Sequence, residues 1–251
     1  MTLQELFQSI ADAIRKKDGT TEKITPYNFP ARIDAIPTGG GSGKEKELID
    51  RSITSFEDTE ITWIGKHAFR DCKELASVNL PSVTSVDMYA FSGCESLEIV
   101  NAPLAYTVTG YAFENCTALK QIELPNNRVL ASYSMKKAGF KKAILGGSNI
   151  GAYAFQDCTS LETVDIKGPG WNIGANAFNG CSNLTTIILR DWTGSWNVPR
   201  ESAFMGTPIL NGGGYFYVPQ NMISYLMADA GWTPMWGSLL RAIEDWPEIT
   251  G

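Results

Sequence analysis

A repeated dipeptide is the feature of this sequence that most limits how the chain can fold. The pair Ala-Phe occurs at residues 68–69, 90–91, 112–113, 154–155, 177–178 and 203–204, with steps of 22, 22, 42, 23 and 26 residues. The step of 42 residues indicates two repeats, one of which is degenerate. A period of this length is typical of a solenoid, in which each repeat is one supersecondary unit.

Each repeat carries further apolar residues at fixed distances from its phenylalanine. A cysteine follows five of the phenylalanines by three residues, a leucine follows each cysteine by three more, and Ile or Val precedes the same phenylalanines by five. The pattern L-x-x-I-x-L, a turn, then I-x-x-x-A-F-x-x-C predicts one short strand and a return path, whose apolar side chains are buried only against neighbouring repeats. These residues are Cys72, Cys94, Cys116, Cys158 and Cys181; Leu75, Leu97, Leu119, Leu161 and Leu184; and Ile64, Val86, Val108, Ile150 and Ile173.

Two copies depart from the pattern. In the fourth copy, we align Ser134 with the phenylalanine position, Lys137 with the cysteine position and Phe140 with the leucine position, and we expect a local irregularity there. The seventh copy has Thr207 in place of cysteine and precedes what we expect to be the final apolar strand, residues 215–218.

The pattern from Ile53 to about Val218 resembles the BspA-type (Treponema-type) leucine-rich repeat. The resemblance implies a repeat solenoid with parallel strands. Tyr217-Val218-Pro219, followed by Tyr225 and Gly231-Trp232, resembles the cap that closes such arrays, and residues 3–41 resemble the leader of related proteins in phages and prophages of gut Firmicutes. Members of the wider family are mostly similar to surface adhesins or tail-associated proteins.

Four segments follow: a helical leader (1–37), a Gly/Ser linker (38–44), the leucine-rich repeats (45–218) and a helical C-terminal cap (219–251). Thr2 and Glu5 form a capping box, and an apolar stripe on one helical face predicts an amphipathic leader helix. This stripe either drives self-association or docking to a larger assembly, or it covers the first repeat as an N-terminal cap. Its residues are Leu3, Leu6, Phe7, Ile10 and Ile14.

Several classes of function are disfavoured by composition and spacing. A net charge of -6 opposes a nucleic-acid partner, and no apolar stretch has the length of a signal-peptide core or a membrane span. The cysteines stand a full repeat apart, which argues against a zinc site and favours reduced core residues. His67 is the only histidine, and the glycine clusters lack a P-loop lysine, so we expect no enzyme activity and no cofactor.

Two surfaces are candidates for binding. On the strand face, the positions beside each central Ile or Val point outward, and they include Gln121, Glu123, Lys142 and Asp165. This face either accepts a flat polar partner or is simply solvated. Along the turn edge, aromatic residues suit sugar rings or a protein hot spot, although Trp171 and Trp196 could instead stack on each other to seal the edge. These residues are Tyr106, Trp171, Trp192 and Trp196.

The sequence therefore predicts a non-catalytic binding or adhesion protein. The leading hypothesis, which depends on the leader resemblance, is a phage or prophage tail-associated receptor-binding protein located in the virion. It would recognise a bacterial cell-surface glycan or protein. Homo-oligomers formed through the leader would give avidity, and neither nucleic acid nor membrane insertion would be involved. The alternative is an adhesin module at the bacterial surface, and a hydrolase is the remaining, least favoured class.

Overall fold

The computed structural model describes residues 51–147, 149–168, 172–190, 201–228 and 237–245. The leader and the linker lie outside these residues, so the predicted leader helix and its oligomerisation stripe stay predictions. The residues of that stripe are Leu3, Leu6, Phe7, Ile10 and Ile14.

Parallel strands form the face predicted from L-x-x-I-x-L, and they are divided between two sheets. The first sheet contains β1 (Ser55–Glu57), β3 (Ser77–Asn79) and β5 (Ile99–Asn101). The second contains six strands: β7 (Gln121–Leu124), β9 (Lys142–Leu145), β11 (Thr163–Ile166), β13 (Thr186–Leu189), β14 (Tyr215–Val218) and β15 (Leu240–Ala242).

Two-residue strands form a third parallel sheet on the return path of each coil. They are β2 (Trp63–Ile64), β4 (Ser85–Val86), β6 (Thr107–Val108), β8 (Val129–Leu130), β10 (Asn149–Ile150) and β12 (Asn172–Ile173). We number the coils from β1: coil 1 contains β1 and β2, coil 2 contains β3 and β4, and so on to coil 7, which begins with β13. The predicted solenoid of parallel strands is confirmed.

Phenylalanine rings stack in two runs through the interior, one ending at Phe113 and the other beginning at Phe155. The ring centroids of Phe69 and Phe91 are 5.2 Å apart, and Phe91 and Phe113 are again 5.2 Å apart, with nearly parallel planes. Phe155 stacks on Phe178 at 5.2 Å in the same way. Because each ring is covered on both faces by the coils beside it, no coil buries its own apolar side chains alone.

The five cysteines are free and buried, as the repeat spacing predicted. Cys94 Sγ donates a hydrogen bond to the carbonyl oxygen of Phe69 at 2.9 Å, and Cys116 Sγ donates to the carbonyl oxygen of Phe91 at 3.2 Å. The thiol therefore fills a small apolar site and also satisfies a backbone acceptor of the preceding coil.

The fourth copy is aligned differently from the sequence prediction. Cys158 Sγ donates to the carbonyl oxygen of Met135, and Phe113 N donates to that of Ser134. Met135 therefore occupies the phenylalanine position, Ser134 the alanine position and Ala138 the cysteine position. The sequence alignment, which put Ser134 at the phenylalanine position and Lys137 at the cysteine position, was therefore wrong by one residue. The error arose because this copy has one residue fewer than the others, and the missing residue lies between Ala138 and Phe140.

The chain takes up this deletion at Gly139. Gly139 N donates to the carbonyl oxygen of Cys116, and a Cβ at residue 139 would overlap the carbonyl oxygen of Thr117. Only glycine permits this close approach of two coils. Phe140 keeps the leucine position and meets Phe155 edge-on, with ring centroids 6.1 Å apart.

The C-terminal segment contains a helix, as predicted, and a strand that was not predicted. Helix α1 (Gln220–Ala228) buries Met222 and Leu226, and short 3-10 helices lie at Glu201–Phe204, Ile209–Asn211, Gly237–Leu239 and Ile243–Asp245. Strand β15 pairs with β14 in parallel register, so residues 215–218 are not the last strand of the sheet.

Replacing Ser134 with alanine should stabilise the protein. Ser134 is fully buried, its hydroxyl has no hydrogen-bond partner among the described residues, and five other coils carry a buried alanine there. Ser134→Ala should therefore raise the free energy of unfolding by about 1 kcal/mol or more. Thermal unfolding followed by circular dichroism would measure the change, with exposed Ser132→Ala as the control; equal melting temperatures for the two variants would contradict it.

Candidate functional site

The strand face is interrupted between coils 3 and 4. Lys120 N donates to the carbonyl oxygen of Glu98 at 3.2 Å, and the Lys120 ammonium pairs with the Glu98 carboxylate. Beyond these contacts, β5 and β7 belong to different sheets. The two strands therefore meet at one end and present unpaired edges to each other along the rest of their length.

Local sequence explains part of this interruption. In later coils, the residue after the strand closes the ladder: Gly146 N donates to Leu124 O at 2.9 Å, and Lys167 N donates to Leu145 O at 2.8 Å. Pro125 occupies that position after β7 and has no N–H to donate to coil 3, but Pro103 occupies it after β5, which still pairs with β3, so this proline alone does not separate β5 from β7. Ala102 stands at the end of β5, where other coils have a larger side chain such as Leu80 in coil 2. The interior of coil 3 is therefore filled by less side-chain volume at this end of the strand.

A cleft of about 430 Å³ lies at the interruption. Its volume is in the range of small-ligand pockets. Val100 is only partly buried at its inner end, whereas Ile122 at the same position of the next coil is fully buried. Ile99 on the rim is 58% exposed. The cleft is lined by Glu98, Ile99, Val100, Asn101, Pro103, Lys120, Gln121, Glu123 and Pro125.

An asparagine ladder leads along the outer face to this cleft. Asn101 Nδ2 donates to Asn79 Oδ1 at 2.6 Å, and Asn79 Nδ2 donates to Glu57 Oε1 at 2.6 Å. The residues are matched in register on β1, β3 and β5. On the opposite rim, Gln121 Nε2 donates to Glu123 Oε1 at 3.3 Å. The rims therefore carry oriented polar groups above a partly apolar floor.

Two of the residues proposed from the sequence, Gln121 and Glu123, line the cleft. Tyr106 does not line it: it lies just before β6, at the end of the turn that follows β5, and is 52% exposed. Lys142 lies on β9, matched in register with Gln121, one strand beyond the cleft.

Asp165 is a correction to the predicted strand-face contacts. It is only 2% exposed, and its two carboxylate oxygens accept hydrogen bonds from Arg190 at 2.7 and 2.9 Å. The residue beside it in register, Ile188, is also buried. Asp165 is thus held in a buried ion pair instead of facing a partner, and the outer face is closed at coils 6 and 7.

The aromatic turn-edge residues other than Tyr106 lie outside the part of the chain that the structure describes. The proposed contacts of Trp171, Trp192 and Trp196, and the alternative stacking of Trp171 on Trp196, therefore stay predictions.

His67 lies at the end of a second aromatic column. Its ring stacks on Tyr89 with centroids 5.1 Å apart, and the column continues through Tyr111, Tyr133 and Tyr153 at spacings of 4.8 to 5.0 Å. All five residues have positive φ, a conformation that side chains of this size rarely adopt, so stacking between coils supports the backbone. This column is a repeated structural feature, and His67 is one member of it.

The thiols are poor candidates for chemistry. Burial raises the pKa of Cys72 to about 12, and burial also raises the pKa of Cys94, Cys116 and Cys158 well above the ordinary value. Since the thiolate is the nucleophile and the metal ligand, these groups stay protonated at neutral pH. Within the described ranges, no group of three or more His, Cys, Asp and Glu side chains is placed to hold a metal ion.

Ile99 and Asn101 face outward by the same alternation as Gln121 and Glu123, but sequence analysis did not select them as candidate contacts. The sequence feature that could have indicated the cleft was Ala102, a small residue at the position that Leu80 and Leu124 occupy in the coils on either side.

None of the helices in the described residues has the length and apolarity of a membrane span.

Comparison with known proteins identifies the repeat. The family model described as "BspA type Leucine rich repeat region" matches in six copies over residues 50–149 and 130–211. No curated protein sequence matches the chain.

Several solved structures are similar to the chain. A leucine-rich repeat protein from Bacteroides ovatus is 26% identical, over 63% of this chain and 43% of its own, with a TM-score of 0.45. The T. pallidum leucine-rich repeat protein TpLRR is 23% identical, over 53% of this chain and 68% of its own, with a TM-score of 0.49. The pneumococcal vaccine antigen PcpA is 14% identical, over 76% of this chain and 40% of its own, with a TM-score of 0.42.

The chain spans less than half the length of the Bacteroides ovatus protein. The family model, by contrast, matches more than half of the chain, and its matched residues contain the coils described above. The chain therefore belongs to the BspA-type leucine-rich-repeat family.

Proposed function

We propose that the protein is a non-catalytic binding protein that attaches to a bacterial cell-surface glycan or protein through the strand face of coils 3 and 4. The observation that carries the proposal is the cleft of about 430 Å³ where the two sheets part. Membership of the BspA-type family is consistent with binding or adhesion at a general level.

Exposed apolar side chains of coil 3 support a contact surface. Ile99 lines the cleft, and Leu104 and Tyr106 lie on the turn that follows β5; all three are about half exposed. Burying such side chains against a partner contributes roughly 25 cal/mol per Å² of apolar surface removed from water. The surrounding polar groups fix orientation, so the combination suits recognition better than a wholly polar strand face does.

The chemistry of the described residues supports a non-catalytic role. An imidazole that acts as a general base must lie against the nucleophile that it activates. The His67 ring is instead stacked on Tyr89, and its Nδ1 lies 3.4 Å from Arg70 Nη1. Burial raises the pKa values of the Cys72, Cys94, Cys116 and Cys158 thiols. Neither arrangement activates a nucleophile.

The most specific form of the proposal is a tail-associated receptor-binding protein of a phage or prophage. It is supported by the resemblance of residues 3–41 to leaders of such proteins. In this mechanism the leader docks or self-associates, the Gly/Ser linker gives reach, and several copies bind one cell with avidity. The alternative is an adhesin at the bacterial surface; neighbouring tail-assembly genes would favour the first, and cell-wall anchoring genes the second.

Removing two exposed side chains at the cleft tests the binding surface. The double variant Ile99→Ala, Gln121→Ala should bind intact host cells about tenfold more weakly, since both side chains line the cleft and a few such residues carry most of the energy of a contact. Labelled protein titrated onto cells would measure the affinity. The control is Met88→Ala, Met205→Ala, which removes exposed apolar side chains that do not line the cleft. Equal binding by the two double variants, with equal melting temperatures, would contradict the proposal.

Deleting residues 1–37 tests the role of the leader. If its apolar stripe mediates self-association, light scattering should show a lower molar mass while circular dichroism shows an unchanged repeat. Affinity for cells should fall with the loss of avidity. An unchanged mass would favour the N-terminal cap instead.

A further inference from the structure

We infer that the cleft between coils 3 and 4 binds a guanidinium group, presented by an arginine side chain of the partner. The inference rests on the proposed binding function and names the chemistry of the ligand. Its basis is the placement of hydrogen-bond acceptors on both rims of one cleft: Asn101 on the β5 rim, and Gln121 and Glu123 on the β7 rim.

The polarity of the asparagine ladder is fixed by the carboxylate at its far end. Glu57 can only accept hydrogen bonds when ionised, so Asn79 must present its amide nitrogen to Glu57. Asn79 Oδ1 then faces Asn101 and accepts from Asn101 Nδ2 at 2.6 Å. Because Nδ2 and Oδ1 lie on two different sides of the planar amide, and Nδ2 of Asn101 is engaged by Asn79, we assign Asn101 Oδ1 to the side of the cleft that Asn101 lines. Glu57 thus sets an acceptor two coils away.

The opposite rim also presents acceptors. Gln121 Nε2 donates to Glu123 Oε1, which leaves the second carboxylate oxygen of Glu123 and the carbonyl oxygen of Gln121 available. Glu123 is matched in register with Ile144, and Lys142 with Gln121. No lysine or arginine of the described residues forms an ion pair with Glu123.

The charge inside the cleft is therefore that of Glu123. Glu98 and Lys120 neutralise each other in an ion pair at the closed end. A ligand that supplies both a positive charge and several N–H donors meets Glu123 and Asn101 together. The net charge of the chain, -6, adds a long-range attraction for a cation.

A guanidinium fits this site better than an ammonium or a neutral sugar. Its rigid, planar set of five N–H donors can serve acceptors on two rims at once, whereas an ammonium acts as a point charge. The methylene stem of an arginine suits the apolar lining, which includes Ile99, Pro103 and Pro125. A sugar hydroxyl would leave the Glu123 charge without compensation.

An NMR titration of the full chain with acetyl-Gly-Arg-Gly-amide tests the inference. The side-chain amide signals of Asn101 and Gln121 should shift, and the affinity should be about tenfold higher than for the same peptide with citrulline, which replaces the guanidinium by a neutral urea. Affinity should also fall as salt is added. Equal binding of the citrulline peptide would overturn the inference, as would shifts caused by a neutral methyl glycoside but not by the arginine peptide.

Two charge-neutralising variants separate direct contact from orientation of the ladder. Glu123→Gln should weaken the arginine peptide about tenfold by removing the charge. Glu57→Gln should weaken it severalfold without touching the cleft, because an amide at residue 57 no longer fixes the direction of the ladder. The control is Glu162→Gln, which removes an exposed charge on coil 6 that pairs with Lys141. If all three variants bind alike, the inference is wrong.

The two proposals fail differently. If the arginine peptide does not bind but the Ile99→Ala, Gln121→Ala variant still loses cell binding, only the guanidinium ligand is ruled out. If the peptide binds with the expected specificity but that variant keeps its cell binding, the cleft takes a cation and the proposed cell-surface contact is wrong.

Discussion

Stacking of one coil on the next is the interaction on which the rest of this structure depends. The Phe69, Phe91 and Phe113 rings lie face to face at 5.2 Å, and the cysteine thiols donate to carbonyl groups of the preceding coil. A single coil has a strand of three or four residues and a return strand of two, too little to bury its own side chains. Stability therefore arises from contacts between neighbouring coils, and a change in one coil is transmitted chiefly to the coils beside it.

The candidate binding surface arises where this regular stacking is relaxed. Ala102 reduces the side-chain volume at the end of β5, and the strand face divides into two sheets at that point. Coils 3 and 4 stay joined on the return path, where β6 pairs with β8 and the Tyr111 ring stacks on Tyr133. The same regularity that aligns core residues also aligns Glu57, Asn79 and Asn101 on the outside, so a charge in coil 1 can orient a polar group in coil 3.

Much of the fold could be predicted from the sequence because the interior residues recur at a nearly constant period. The fourth copy was misaligned since it has lost one residue, and the compensating contact at Gly139 is visible only in three dimensions. Gln121 and Glu123 were placed on the outer face by alternation alone. Asp165 was wrongly placed there because its cover, Arg190, lies 25 residues away on the next coil. The cleft could not be predicted, because it depends on which strands fail to pair.

Thiol accessibility in the native state is the most direct test of the shared interior. Cys72, Cys94, Cys116, Cys158 and Cys181 come from five different coils, and each is at most 1% exposed. Rapid labelling with a thiol reagent at neutral pH should leave all five unmodified until denaturant is added, when all five should react. Prompt labelling of the native protein at these positions would contradict a continuous core formed by successive coils.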